Sequence, residues 1–125
     1  MSTKPKILIS ESESIIAKDL EMQLKDWGYG VSTVVKSKEK TVKFVEKKHP
    51  DLVIIGSDGK DGFDEISIAE EIHQKYKTKV IFLSAWLNEQ VVKQYEALES
   101  FYCIPKPFDS DVLRSQIQKA LAALV

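Results

Sequence analysis

An α/β fold, with a parallel sheet covered by helices on both faces, is predicted by three observations on this chain. Apolar runs of about four residues alternate with longer segments of helical period, from Lys6 to Leu124. No linker or low-complexity stretch breaks the series. Four of the runs stop at polar or glycine residues: Ile7-Leu8-Ile9 before Ser10-Glu11-Ser12, Leu52-Val53-Ile54-Ile55 before Gly56, Val80-Ile81-Phe82-Leu83 before Ser84, and a shorter run before Lys106. Successive β-α units need right-handed crossovers, and both faces of the resulting sheet must be covered. In such sheets the functional crevice lies at the carboxyl ends of the strands, so the polar ends gather on that edge.

Each element has a local reason. Lys6 to Ile9 reads as the first strand. Ser12 or Ser14 stands where a helix N-cap is wanted, and Ile16, Leu20, Leu24 and the core residue Trp27 then recur at helical spacing until Gly28. Val31 to Val35 is a second strand. Ser37 opens a lysine-rich helix with Val42 and Val45 inward, which ends before Pro50. Asp51 to Ile55 forms the third strand and leads into a Gly/Asp-rich loop, 56–62. Asp64 is expected to cap a third helix carrying Ile68, Ala69, Ile72 and Tyr76. Val80 to Leu83 is the fourth strand, and Asn88 starts a fourth helix with Val91, Tyr95 and Leu98 inward. Phe101 to Ile104 is the fifth strand. Asp109 or Ser110 then caps a last helix that packs Leu113, Ile117, Leu121 and Leu124.

Composition narrows the function. A chain of 125 residues makes one domain, 1–125, and its 43% hydrophobic and 30% charged content is ordinary for a globular protein. A net charge of -1 argues against nucleic acid as a partner, because phosphate backbones call for a surplus of cations. No apolar stretch approaches the roughly 18 residues of a membrane span. A lone cysteine cannot close an internal disulfide, which suits a reducing cytoplasm.

Four segments, in order and at the right intervals, carry a resemblance to the response-regulator receiver domains, the CheY-like superfamily. Ile7-Leu8-Ile9-Ser10-Glu11-Ser12-Glu13 is similar to the family's first strand, which ends in two adjacent acids. Pro50-Asp51-Leu52-Val53-Ile54-Ile55 is similar to the strand that ends in the phosphorylated aspartate. Phe82-Leu83-Ser84-Ala85 matches the strand with a terminal Ser or Thr, and Ile104-Pro105-Lys106-Pro107-Phe108 matches the closing Lys-Pro-Phe signature. The resemblance implies a flavodoxin-like, doubly wound, five-stranded sheet in the order 2-1-3-4-5 with five helices. It also implies a signalling role in a two-component phosphorelay.

The departures are as informative as the matches. In the family an aspartate takes a phosphoryl group from a histidine kinase, carboxylates hold Mg²⁺, and Ser/Thr and Lys grip the phosphoryl oxygens. Here Glu11 keeps the first acid, Ser12 replaces the second, Gly56 stands in the acceptor's place, and Ser84 and Lys106 are retained. Glycine offers no oxygen nucleophile, and one acid is a poor Mg²⁺ site. The chain therefore reads as a pseudo-receiver: no catalytic residue, no cofactor, weak or absent Mg²⁺ binding, and output through protein contacts rather than enzymatic work. Lys106 is either a retained phosphate sensor or the partner of Glu11, and Pro107 is the candidate for the cis peptide the family has after its lysine.

Other residues bear on partners. Asp58 and Asp61 are the nearest carboxylates to position 56, and a working phosphorelay receiver using one of them is the alternative function. Trp86, beside the strand-end cleft, covers the site or anchors a partner. Cys103 takes the place of the family's switch aromatic and reads as a half-buried packing residue, while Tyr102 faces the other side of the sheet. With Tyr95 they are the interaction candidates. The expected partners are a histidine kinase, an output protein, or a second copy through the fourth helix, fifth strand and last helix. Between Lys36 and Lys48 six lysines face two glutamates, which reads as a solvated helix face or, alternatively, a surface for an acidic partner. A flavodoxin-like small-molecule binder is disfavoured, because the loop after the first strand has two acids and no glycine to cradle a phosphate.

Overall fold

The computed structural model describes residues 4–57, 62–84, 93, 101–105 and 108–122, with only the backbone of Lys38, Ser57, 62–64, Phe101 and Tyr102. The elements run β1 (Lys6–Ser10), α1 (Ser14–Asp26), β2 (Gly30–Val35), a 3₁₀ turn (Lys38–Lys40), α2 (Thr41–Lys48), β3 (Leu52–Ser57), α3 (Gly62–Tyr76), β4 (Lys79–Ser84), β5 (Phe101–Pro105) and α4 (Ser110–Ala122). All five strands are parallel, in the order β2-β1-β3-β4-β5. The described residues hold four α-helices rather than the five expected. Of the helix expected from Asn88, only Lys93 lies within them, and Val91, Tyr95 and Leu98 lie outside.

Alternation along the strands divides the core in two. Ile7, Ile9, Leu52, Ile54, Ile81 and Leu83 point to one face, where Leu20 and Leu24 of α1 and Leu113 and Ile117 of α4 cover them. Leu8, Val53, Ile55, Val80 and Phe82 point to the other, under Val45 of α2 and Ala69 and Ile72 of α3. Strands buried on both faces read as unbroken apolar runs, which is why the sequence shows them so clearly.

Local chemistry ends the helices and corrects several expected boundaries. Glu13, not Ser12 or Ser14, is the N-cap of α1, and it makes no side-chain capping bond. Ser14 is the first helical residue, and its hydroxyl accepts a hydrogen bond from Lys36 Nζ at 3.0 Å. At the far end Gly28, with φ +92, lets Tyr29 N–H reach Leu24 O and its own N–H reach Lys25 O. That pair of bonds satisfies carbonyls the helix would leave open. Trp27 is half-buried at the rim of the core, and the Arg114 guanidinium of α4 lies 5.6 Å from its ring centroid. Asp64 lies inside α3 rather than capping it, because the helix begins at Gly62. Asp109 does cap α4: its Oδ1 accepts the N–H groups of Asp111 at 2.8 Å and Val112 at 3.2 Å.

Candidate functional site

The carboxyl ends of β1, β3, β4 and β5 share one edge. β3 does not stop before Gly56 as expected but runs on through Gly56 to Ser57. Gly56 pairs with Leu83, Ser57 with Ser84, and Ser84 with Pro105. On the other side of β3, Ser10 of β1 pairs with Ile55. The next step of that register brings residue 11 beside residue 56, with both on the face of Ile9 and Ile54.

Neighbours on two parallel strands that share a face compete for the same space. Glu11 is only 2% exposed, and its carboxylate lies over the Gly56 backbone. A Cβ built at Gly56 would run into Glu11 Oε1 and stand 2.6 Å from Cδ and 3.2 Å from Oε2. Oε2 also accepts the N–H of Glu13, at 3.1 Å, so the same carboxylate holds the start of α1. The backbone N–H of Glu11 donates to Val35 O at 2.9 Å, fixing the end of β1 against β2. A glycine inside a strand often marks the close approach of another group, and here that group is a buried carboxylate.

One residue back, the polar group on the opposite face is handled differently. Ser10 Oγ and Thr41 Oγ1 of α2 lie 2.8 Å apart, and the Thr41 hydroxyl donates to Ser37 O at 3.2 Å. Both residues are buried. Thr41 lies four residues before Val45, on the stripe the sequence reading marked as buried, so the spacing could have shown it. Glu65 was missed in the same way. It is fully buried, four residues before Ala69 and seven before Ile72.

The retained Ser84 is 1% exposed at the end of β4. Cys103 pairs with Phe82 and packs on the α2/α3 face, and the backbone of Tyr102 pairs with Ile81. Cys103 is half-buried. Burial and, secondarily, the negative charge of Glu65 push its thiol up to about 12, from an ordinary value of 9.0. Ser12 is exposed. Asp58, Asp61, Trp86, Tyr95, Lys106 and Pro107 lie outside the described residues, and with them the expected Lys106–Glu11 pair and cis peptide. Among the described residues no three His, Cys, Asp or Glu side chains gather where they could hold a metal ion, and no helix is long and apolar enough to cross a membrane.

Comparison with known proteins gives this edge its class. The model of the response regulator receiver domain matches residues 7–118, and the chain belongs to that family. It is 29% identical over 116 residues to the phyllosphere-induced regulator PhyR of Methylorubrum extorquens, covering 92% of this chain and 43% of that protein. It is 28% identical over 119 residues to the transcriptional regulatory protein PdtaR of Mycobacterium tuberculosis, covering 94% of this chain and 57% of that one. The chain thus spans about half the length of these relatives. Among solved structures, the receiver domain of a modulated diguanylate cyclase from Desulfovibrio desulfuricans G20 superposes with a TM-score of 0.84 at 22% identity, over 97% of this chain and 96% of that one. That likeness shows the fold, flavodoxin-like with CheY-type strand order. The chain is a response regulator receiver domain.

Proposed function

We propose that this receiver domain signals through protein contacts without taking a phosphoryl group. The supporting observation is at the penultimate residue of β3, which this reading takes as the family's acceptor position. The residue there is Gly56, which has no side-chain oxygen, and the Glu11 carboxylate fills the space in which a side chain would grow. Phosphoryl transfer to a protein needs an oxygen nucleophile, and neither a glycine nor a carboxylate buried to 2% exposure presents one.

The same geometry bears on Mg²⁺, the family's ion. Mg²⁺ takes an octahedral shell of carboxylate, phosphate and water oxygens. Among the described residues Glu11 turns its carboxylate onto β3, Ser12 supplies only a hydroxyl and Gly56 supplies no side-chain oxygen. That donor set does not fit the ion. In this reading the domain is a cytoplasmic, non-enzymatic module whose partner is a histidine kinase, an output protein or a second copy. The contact surface is β5, α4 and the segment between β4 and β5, which carries Trp86 and Tyr95.

Incubation with a small-molecule phosphodonor and Mg²⁺, followed by intact-mass measurement, tests the proposal. The expected result is an unchanged mass. A phosphoryl adduct in good yield contradicts it, and Asp58→Asn and Asp61→Asn variants would then show which residue had taken over as acceptor.

A further inference from the structure

We infer that Glu11 and Gly56 are one coupled unit, a carboxylate from β1 seated where a β3 side chain would be, so that the strand-end pocket is filled from within. This rests on the phosphoryl-silent reading and adds to it a physical device: the pocket is held in one arrangement by the chain's own acid. Three observations carry it. The register, carried one step past Ser10–Ile55, brings residue 11 next to residue 56, and the Glu11 carboxylate lies there. The Glu11 carboxylate occupies the volume of any side chain at 56. Its second oxygen takes the N–H of Glu13, the N-cap of α1, which holds the carboxylate in that place.

A carboxylate at the end of a flexible side chain would ordinarily swing aside for a new methyl group. In this pocket such a swing must break the bond to Glu13 and find another place for a charge that is 2% exposed. The backbone at Gly56 is not the obstacle. Among the described glycines only Gly28 has a positive φ, so alanine can adopt the conformation of residue 56. The resistance to a side chain at 56 therefore comes from Glu11.

The unit makes a prediction of sign. In the wild-type background Gly56→Ala shifts the unfolding equilibrium toward the unfolded state by about tenfold or more, as overpacking of a buried contact does. In the Glu11→Ala background the same change is neutral or stabilising, because the space is free and alanine lowers the entropy of the unfolded chain. In the Glu11→Gln background, which keeps the shape and removes the charge, Gly56→Ala remains unfavourable.

Urea unfolding of the wild type, the three Glu11 and Gly56 single variants and the two double variants reads these shifts. Should Gly56→Ala alone not fold, the Glu11→Ala/Gly56→Ala protein is still expected to fold, and its recovery is itself the predicted result. In Glu11→Ala the Glu13 amide should also exchange with solvent faster than in the wild type. Equal effects of Gly56→Ala in all backgrounds would overturn the inference. The phosphodonor experiment is independent of these shifts, so failure of the coupling and failure of the silent reading are told apart.

Discussion

Adjacent residues at the end of β1 bury polar groups by opposite strategies. Ser10 points to the α2/α3 face and is satisfied by a neutral partner, Thr41, 2.8 Å away. Glu11 points to the α1/α4 face and is accommodated because its strand neighbour has no side chain. One site is built by adding a complementary group and the other by subtracting an atom. Loss of a partner leaves a hydroxyl unpaired, whereas gain of a methyl group displaces a charge. The two sites should therefore fail in different ways.

The largest effect is expected at the subtractive site. Gly56→Val should destabilise the domain by about 3 kcal/mol in urea unfolding, since a branched side chain cannot share the space with the buried Glu11 carboxylate. A loss below 1 kcal/mol would mean that the carboxylate moves freely. At the additive site Thr41→Val should cost about 1–2 kcal/mol, because the Ser10 hydroxyl stays buried without its partner. The Ser10→Ala/Thr41→Val pair should cost less than the sum of the single changes. Full additivity would place the bond's contribution elsewhere.

Away from both sites, Asp109→Ala should lower stability by about 1 kcal/mol through loss of the α4 cap, with Asp109→Asn retaining most of it. The smallest effect concerns Cys103. With its thiol pushed up to about 12 by burial and by Glu65, it should alkylate far more slowly at pH 8 than the unfolded chain. Because the folded value lies above the ordinary one, the contribution to stability is complete below about pH 9 and is lost as the pH rises toward 12. Rapid alkylation of the folded protein at pH 8 would show the thiol to be accessible and ionised.

Much of this architecture is legible in the sequence because it depends on local periodicity. Strands buried on both faces give unbroken runs such as Leu52–Ile55, and helices give stripes such as Leu20 and Leu24. Boundaries were less legible. Two serines near the start of α1 looked like better caps than Glu13, but the Glu11 carboxylate already binds the Glu13 N–H. Asp64 offered a capping side chain to a helix that starts two residues earlier. The shared edge was legible as a set of strand ends, and a glycine among them reads in the sequence as the place of a missing oxygen. That the same glycine makes room for Glu11 depends on cross-strand register, visible only once Ser10 is seen beside Ile55.

The contrast between a filled pocket and a responsive one can be read directly by titrating ¹⁵N-labelled protein with Mg²⁺ and a phosphodonor while following its amide resonances. Glu13 and Gly56 lie against the seated carboxylate and Ser84 ends β4, so a switching receiver would move them together. The account predicts that all three peaks stay where they are throughout. Concerted, saturable shifts of these amides would contradict it, because they would show the Glu11 carboxylate leaving its seat to admit a ligand.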